Sequence, residues 1–207
     1  IASQMPVMLF KNIKNKEVIE LCAAPGGKTA QLLNQGAKVM ALDVSKKKIT
    51  LLSNNIKRLN LSNNLNIINK DIRDWKPINK TNYLLLDVPC SATGTVRKNP
   101  DVIWNKKQED IIRLSIIQKE LLEKAINMVK KDGIIIYCNC SMQKEEGEGV
   151  IDYILKGKKV ILDPISDKEL PNYPKDIINN GLIRTFPYMF EEKGGMDGFF
   201  VARLIKV

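Results

Sequence analysis

Short, strongly apolar runs alternate along this chain with longer segments whose apolar residues recur at helical spacing. Such runs are typical of buried parallel strands, and the 3.6-residue spacing is typical of the helices that cover them. Regular alternation of the two predicts a doubly wound α/β sheet with right-handed crossovers. We predict seven strands, in the runs EVIELC, AKVMALDVS, LNIINKD, NYLLLDVPC, IIIYCNC, KKVILDP and GMDGFFVARLIKV.

The predicted helices lie between these strands, in APGGKTAQLLNQG, KKKITLLSNNIKRLN, the stretch from about Gln108 to Lys130, and QKEEGEGVIDYIL. Gly36 is expected to end the first helix, because glycine readily takes the left-handed conformation that closes a helix. The last strand alternates enough to be an antiparallel edge strand of an otherwise mostly parallel sheet. Residues 91–105 and 166–195 follow neither pattern, and long ordered loops of this kind often bind substrate.

Composition narrows the class of protein. The chain has 207 residues, of which 44% are hydrophobic and 27% charged, an ordinary balance for one globular domain. Its longest apolar runs fall well short of the roughly 18 to 20 residues that cross a bilayer, and no signal peptide is recognisable. We therefore expect a single domain over residues 1–207 of a cytoplasmic protein, monomeric and without a membrane partner. Because the chain begins at Ile1, upstream sequence is expected to be missing.

The charge balance favours a polyanionic partner. Lysine and arginine total 33 against 23 acidic residues, which gives a net charge of +10. Each phosphate that a basic side chain neutralises releases counterions, so nucleic acid suits such an excess. The alternative is that a biased genome has enriched lysine together with asparagine and isoleucine, without selection for binding.

The chain has four cysteines, Cys22, Cys90, Cys138 and Cys140, and no histidine. No pair has the CxxC spacing of a zinc site, so we expect no metal. The absence of histidine also removes the usual Ser-His and Cys-His activation, so any nucleophile must be activated by other groups.

The run LCAAPGGKT combines a strand end, a flexible turn and a helix start. Gly26 and Gly27 allow the backbone to approach a ligand closely, and the helix start offers free N–H groups. A phosphate-binding P-loop is the alternative, and Gly27, Lys28 and Thr29 fit its pattern. Its first glycine position is Cys22, however, so the pattern fails at the residue that forms the turn.

Three acidic residues follow successive predicted strands. Asp43 lies about twenty residues after the glycine turn, where a carboxylate can accept hydrogen bonds from ribose hydroxyls. Asp71 is placed to meet the base of the same nucleoside, and Asp87 follows the fourth strand. One such acid is usually a helix cap, but three beside a glycine turn indicate an adenosine ligand without a phosphate requirement. S-adenosylmethionine fits that description.

Two thiols lie just beyond neighbouring strand ends, Cys90 in DVPCS and Cys140 in CNCS. Carbon 5 of cytosine is a poor nucleophile until a thiolate adds to carbon 6, so base carbon methylation requires a soft nucleophile of this kind. Cys138, inside the apolar strand, is interpreted as a buried small hydrophobe. The positions alone leave open whether Cys90 or Cys140 attacks.

The motifs LCAAPGGKT, ALDVS, DVPCSATGTVRKNPDVIW, YCNCSMQKEEGEGVID and MDGFFVARL together resemble the RsmB/NSUN family of RNA cytosine-5 methyltransferases, in particular its bacterial Fmu or Sun branch. The resemblance implies a class I Rossmann-like methyltransferase fold with Cys140 as nucleophile and Cys90 assisting proton loss and product release. It also implies that Asp87 contacts the cofactor or target base and that Lys28 supports the active site. Asn139 replaces the usual threonine. The implied cofactor-binding set is Cys22, Ala23, Ala24, Pro25, Gly26, Gly27, Lys28, Asp43, Lys48, Asp71 and Asp87.

The resemblance further implies an RNA substrate, most simply small-subunit (16S) ribosomal RNA. Arg97, Lys98 and Trp104 resemble the substrate-side loop, whose basic and aromatic content suits backbone contact and stacking. The bacterial branch usually carries an upstream NusB-like RNA-binding domain, and we expect that domain to be missing from these 207 residues. Three alternatives stay open: a DNA cytosine-5 methyltransferase, which would need Cys90 as nucleophile, a non-catalytic RNA-binding or ribosome assembly factor, and a P-loop ATPase.

Overall fold

The computed structural model describes residues 1–207 as nine strands and five α-helices. The helices are α1 (Met5–Met8), α2 (Gly27–Asn34), α3 (Lys46–Arg58), α4 (Gln108–Asn127) and α5 (Glu148–Lys156). The strands are β1 (Glu17–Leu21), β2 (Lys38–Asp43), β3 (Leu65–Asn69), β4 (Thr81–Asp87), β5 (Val129–Asn139), β6 (Val160–Leu162), β7 (Ile178–Asn179), β8 (Leu182–Thr185) and β9 (Phe199–Lys206).

All nine strands form one sheet in the order β3-β2-β1-β4-β5-β9-β8-β7, with β6 also paired to β9. Strands β1 to β5 pair in parallel, and β9 runs antiparallel to β5. The predicted doubly wound, mostly parallel α/β sheet is therefore confirmed. Its switch point lies between β1 and β4, where the chain order reverses, and ligands of such sheets bind at the carboxyl edge of that point.

The strand count and the place of β9 differ from the predictions. The sheet has nine strands rather than seven, because β7 and β8 lie in the stretch predicted to be irregular, and they are too short for a periodic signal. The antiparallel direction of β9 agrees with the prediction, but β9 is an interior strand, since β8 and β6 pair along its far side. Consequently Phe199–Leu204 is buried at every position rather than at alternate ones.

The end of α4 and the start of β5 also differ from the predictions. Helix α4 ends at Asn127, not near Lys130, because the chain turns at Met128 and β5 already begins at Val129. The charged segment that follows is a bulge: Thr81 pairs with Val129 but Tyr83 with Ile134, and Asp132 takes a positive φ of 61°.

Two hydrophobic cores flank the sheet, one under α1, α2 and α3 and the other under α4 and α5. Because strand side chains alternate, Val18 packs in the first core and Ile19 in the second. The same alternation points Glu20 and, on β4, Asp87 toward the α1–α3 side. None of the helices combines the length and apolarity that crossing a membrane would require.

Candidate functional site

The glycine turn closes tightly between β1 and α2. Cys22 and Gly26 both take left-handed backbone conformations, with φ of 59° and 98°. A Cβ at Gly26 would lie 2.9 Å from Cγ of Leu52 on α3, so a side chain there would meet strain and a neighbour together. Gly27 has open space around its Cα, so only Gly26 requires glycine for packing.

A cavity of about 170 Å³ opens beside this turn on the α4 side of the sheet. Asp43 lies at its wall with 8% exposure, where its carboxylate accepts the backbone N–H of Ala24 at 3.2 Å and that of Ser45 at 2.9 Å. These bonds fix the carboxylate at the carboxyl end of β2. The lining residues are Cys22, Asp43, Val44, Asp71, Ile72, Arg73, Pro89, Ile117 and Leu121.

Asp71 reaches the same cavity and is paired with Arg73, whose guanidinium Nη2 lies 2.6 Å from Oδ2 of Asp71. The hydrogen bonds from Arg73 lower the pKa of Asp71. The cavity is lined by these two carboxylates and by apolar side chains that include Ile72 and Ile117. The chemistry of the lining fits an adenosine, because a flat base needs apolar walls and ribose hydroxyls need acceptors.

A second cavity, of about 340 Å³, lies on the α1–α3 side and is lined by Lys28 and Asp87. Nζ of Lys28 is 2.6 Å from Oδ2 of Asp87 and 5.2 Å from the ring centroid of Phe199. Burial alone would lower the pKa of Lys28, but the Asp87 carboxylate raises it above its ordinary value. The second cavity therefore keeps a fixed cation and anion side by side.

Glu20 is a buried acid of the second cavity that the sequence analysis did not single out. It is 1% exposed, and its Oε2 has no hydrogen-bond partner. Burial raises its pKa to about 8. The sequence does mark Glu20, as an acidic residue inside the apolar run VIELC. A strand that is covered on both faces rarely carries a carboxylate.

The two thiols meet where β4 and β5 end. Sγ of Cys90 lies 3.4 Å from Sγ of Cys140, as the prediction of neighbouring strand ends requires. The hydrogen bond from Cys90 lowers the pKa of Cys140, against the effect of burial, and Lys28 lowers it further. The same hydrogen bond, together with burial, raises the pKa of Cys90. Cys140 is thus the thiol that ionises first, and the thiol of Cys90 donates a hydrogen bond to it.

The other two cysteines have no such activation. Cys138 is fully buried, as predicted, and donates to Oδ1 of Asp87 at 3.5 Å. Burial raises the pKa of Cys138 and that of Cys22, so both remain thiols.

Glu146 connects the two loops that carry Cys90 and Cys140. Its carboxylate accepts hydrogen bonds from the backbone N–H of Ser91 at 2.9 Å, from the Ser91 hydroxyl, and from the Ser141 hydroxyl at 2.5 Å. Nε2 of Gln118 donates to it at 2.9 Å, and also to the carbonyl of Pro89. Glu146 is fully buried, so each of these bonds is made away from water. The sequence analysis missed Glu146, which reads locally as one of several exposed helix glutamates.

Asn139, the departure from the usual threonine, belongs to the same network. Its Nδ2 donates to the carbonyl of Glu146 at 2.7 Å, and its Oδ1 accepts the N–H of Ser141 at 2.9 Å. The amide therefore shapes the turn after Cys140 without contacting the thiol itself.

Gly94 allows the loop that carries Cys90 to pack closely against Cys140 and Gly198. Its N–H donates to the carbonyl of Cys140 at 2.9 Å, and its own carbonyl accepts the N–H of Gly198 at 2.8 Å. A Cβ at Gly94 would lie 2.0 Å from the Gly198 carbonyl oxygen, so no side chain fits. The entrance to β9 and the two cysteine loops are thus held in one packed unit.

The structure distributes the predicted cofactor set over both cavities. Cys22, Asp43 and Asp71 line the first, and Ala23, Pro25, Gly27, Lys28 and Asp87 line the second. Lys48 lies exposed in the first turn of α3, where its backbone N–H donates to Oγ of Ser45, and its side chain lines neither cavity.

The loop predicted to contact substrate folds over the 194–197 segment. Arg97 donates to the carbonyl of Gly194, and Nζ of Lys98 lies 2.6 Å from Oδ2 of Asp197. Trp104 has no such partner and is 83% exposed. All three residues are exposed, and Trp104 presents an aromatic surface to solvent.

The chain is similar to ribosomal RNA methyltransferases over nearly its whole length. The model of the 16S rRNA methyltransferase RsmB/F family matches residues 7–205. A 28S rRNA (cytosine(4447)-C(5))-methyltransferase of Homo sapiens is 34% identical over 217 residues, which cover 99% of this chain and 26% of that protein. Ribosomal RNA small subunit methyltransferase B of Photorhabdus laumondii is 33% identical over 210 residues, covering 100% of this chain and 46% of that protein.

The same likeness extends to solved structures. The chain matches the crystal structure of NSun6 from Pyrococcus horikoshii with SFG, with a TM-score of 0.81 at 28% identity, over 100% of this chain and 52% of that one. The chain thus spans between about a quarter and a half of the length of these relatives.

Proposed function

The chain belongs to the 16S rRNA methyltransferase RsmB/F family, and from this membership we propose that it transfers a methyl group from S-adenosylmethionine to carbon 5 of a cytosine in ribosomal RNA. The observation that carries the proposal is the thiol pair, 3.4 Å apart, in which Cys140 has the lowered pKa and Cys90 the raised one. The relatives named above support the substrate class, because both act on ribosomal RNA according to their names.

The first cavity is proposed to hold the adenosine of the cofactor. Asp43 would accept hydrogen bonds from the ribose, and Asp71 lies where the base would be met. SFG, an analogue of S-adenosylmethionine, is present in the NSun6 structure and supports this assignment. When bound, S-adenosylmethionine supplies a methyl group that is electrophilic because it is attached to a positively charged sulfur.

Cys140 is proposed to attack carbon 6 of the cytosine as a thiolate. The new S–C bond converts the ring into an enamine, whose carbon 5 can take the methyl group. Lys28 stabilises the thiolate electrostatically, and with Asp87 it offers one donor and one acceptor that match the polar edge of a cytosine. This partly exposed cation and anion are held in place by their salt bridge before the base arrives, so little reorganisation is needed.

Cys90 is proposed to accept the proton that carbon 5 must lose after methylation. Its pKa is raised largely by its hydrogen bond to Cys140. Once Cys140 is bonded to carbon 6, its sulfur is uncharged, so this cause disappears and Cys90 can release its own proton to water. Transfer of the carbon 5 proton to Cys90 then lets the S–C bond break, which expels Cys140 as a thiolate and restores the aromatic ring.

Two cysteine substitutions test this division of roles. We expect Cys140→Ser to abolish turnover and to form no adduct, since a serine hydroxyl does not ionise near neutral pH. Cys90→Ala should still attack but fail to release, so that a covalent protein–RNA adduct accumulates on a denaturing gel. Cys138→Ala is the matched control. Cys138 is a buried cysteine, so its substitution should neither prevent attack on the cytosine nor cause the adduct to accumulate.

The reverse outcome would contradict the proposal. An adduct with Cys140→Ser and none with Cys90→Ala would assign the attack to Cys90, the order expected of a DNA cytosine-5 methyltransferase. Calorimetry with S-adenosylmethionine separates the non-catalytic alternative, because a scaffold protein would show no binding heat.

The target within ribosomal RNA is a separate question. The family description favours 16S RNA, whereas the human relative is named for 28S RNA. Bisulfite mapping of ribosomal RNA from cells with and without the gene would identify it, and we expect one cytosine of the small-subunit RNA to lose its methyl group. Unchanged methylation of every ribosomal cytosine would contradict the assigned substrate.

A further inference from the structure

A third cavity, of about 390 Å³, lies between the β3–β4 loop and the C-terminal end of α4. We call it the Trp75 pocket, and its principal lining residues are Arg73, Trp75, Lys76, Lys80, Lys124 and Met128. It belongs to neither of the cavities already described, although Arg73 lines both this pocket and the first cavity.

Every charged side chain that lines the Trp75 pocket is cationic. Lys76 and Lys80 make no salt bridge, and Lys124 only donates to the carbonyl of Arg73 at 3.4 Å. Arg73 alone has an acidic partner, Asp71. A concave surface that gathers unpaired cations costs free energy by mutual repulsion, so it fits an anionic ligand.

Helix electrostatics explain only part of this charge. Lys124 lies in the last turn of α4, where a cation interacts favourably with the helix dipole. Lys76 and Lys80 lie on an irregular loop with no helix end of their own, so that reason does not apply to them. Their convergence beside Lys124 therefore needs another explanation.

The positive charge continues beyond the pocket. Burial lowers the pKa of Lys206 on β9, and the positive charges of Lys159 and Lys80 lower it further. Lys80 of the Trp75 pocket is thus close enough to Lys206 for the two charges to repel each other. Positive charge that is spread over several positions suits the successive phosphates of a polynucleotide better than a single small anion.

Trp75 adds an aromatic surface to this charge. The indole is half-buried, packs against the core under α4 and β4, and lines the pocket. Single-stranded nucleic acids combine a phosphate backbone with flat bases, and they are bound by cationic grooves that contain aromatic rings. Duplex RNA offers no unstacked base for such a ring.

We propose that the Trp75 pocket binds a single-stranded RNA segment that flanks the target cytosine, with Lys76, Lys80 and Lys124 on phosphates and Trp75 against one base. This inference rests on the proposed function for the identity of the nucleic acid. The pocket extends from Arg73, which also lines the first cavity, to Lys80 and Lys124 near the amino ends of β4 and β5, so the bound segment lies several nucleotides from the target base.

Charge reversal tests the phosphate contacts. In the full chain, Lys76→Glu combined with Lys80→Glu should weaken binding of a single-stranded ribosomal RNA oligonucleotide about tenfold or more at 0.1 M salt. The slope of log affinity against log salt should fall by roughly 1.4, since each single-strand phosphate contact contributes about 0.7. Lys14→Glu combined with Lys16→Glu is the matched control, because both lysines are exposed, unpaired and on the turn before β1.

Trp75 provides an independent readout. The chain has two tryptophans, so Trp104→Phe leaves Trp75 as the only one. We expect RNA to quench the Trp75 fluorescence in that variant, and the Lys76→Glu/Lys80→Glu reversal to abolish the quenching. Inorganic phosphate and poly-glutamate, tested as probes at the same ionic strength, should not reproduce it.

Three results would overturn the inference. They are unchanged RNA affinity and salt slope in the reversed variant, quenching by inorganic phosphate but not by RNA, or a response to poly-glutamate instead of RNA. Binding needs no chemistry, so these outcomes are separable from the adduct assay. A chain that binds RNA through Trp75 but forms no adduct with Cys90→Ala would contradict the proposed function and leave the pocket assignment intact.

Discussion

The two halves of the catalytic edge are built differently. Where β4 and β5 end, Glu146, Ser91, Ser141 and Gln118 bond to one another in a fully buried network, and almost every polar atom has a partner inside the protein. Where β1, β2 and β3 end, two cavities are lined by charged groups, and Oε2 of Glu20 has no partner.

The difference follows from what each half must do under the proposed function. Two thiols that act in turn on one base must keep a fixed separation, and a satisfied buried network provides rigidity because any displacement would leave polar groups unpaired. A cofactor must enter and leave, so its half keeps groups that can form hydrogen bonds with a ligand. Substitutions of Glu146 and Asp43 test this difference most directly.

The largest effect is expected from Glu146→Ala. It leaves several buried donors without an acceptor, so we expect the free energy of unfolding to fall by about 3 kcal/mol or more. Glu146→Gln keeps one acceptor oxygen and should lose less. The measurement is chemical denaturation, with the exposed neighbour Glu145→Ala as a control expected to lie within about 0.5 kcal/mol of the original chain.

A positioning role for Glu146 predicts more than lost stability. In folded Glu146→Gln, the ionisation of Cys140, followed by the pH dependence of its alkylation in a Cys22→Ala/Cys138→Ala background, should move to higher pH. Unchanged alkylation would mean that Glu146 supports the fold without setting the distance between the two thiols.

A smaller effect, confined to the other half, is expected from Asp43→Asn. The amide has one acceptor oxygen instead of two, so it cannot keep both backbone bonds and also accept from a ribose. We expect S-adenosylmethionine to bind about 30-fold more weakly, equivalent to about 2 kcal/mol. Calorimetry measures this, and an affinity equal to that of the original chain would remove Asp43 from the proposed cofactor set.

The effect of Glu20→Gln on stability depends on pH. The pKa of Glu20 is about 8 in the folded chain and near 4.5 as its ordinary value, so the carboxyl favours folding fully below about pH 4.5. That stability is lost as the pH rises through 8. An uncharged glutamine escapes this loss, so Glu20→Gln should be clearly more stable than the original chain at pH 9 and equally stable at pH 4.

Thermal unfolding at the two pH values measures the Glu20 effect. Equal midpoints of the variant and the original chain at pH 9 would show that the carboxylate is compensated in the folded state, for example by Lys28.

Much of the site could be predicted because its signals are local. Each parallel strand delivers its next residues to one edge, so the positions of Asp43, Asp87, Cys90 and Cys140 followed from apolar runs alone, and the family match confirms the resemblance. Glu146 could not be found in this way, since two of its partners, Gln118 and Ser91, are 28 and 55 residues distant along the chain. The interior place of β9 was equally hidden, because β7 and β8 are too short to be periodic.

The sequence by itself determined the fold class, the edge of the sheet at which the candidate site lies and the two thiols that meet there, because strand and helix periodicities are properties of consecutive residues. Only the tertiary structure decided which thiol ionises first, since the pKa difference between Cys140 and Cys90 depends on burial, on their 3.4 Å contact and on Lys28. The same holds for the Trp75 pocket, whose lysines come from a loop and a distant helix end. Electrostatic interactions depend on distances in space, and folding alone sets them.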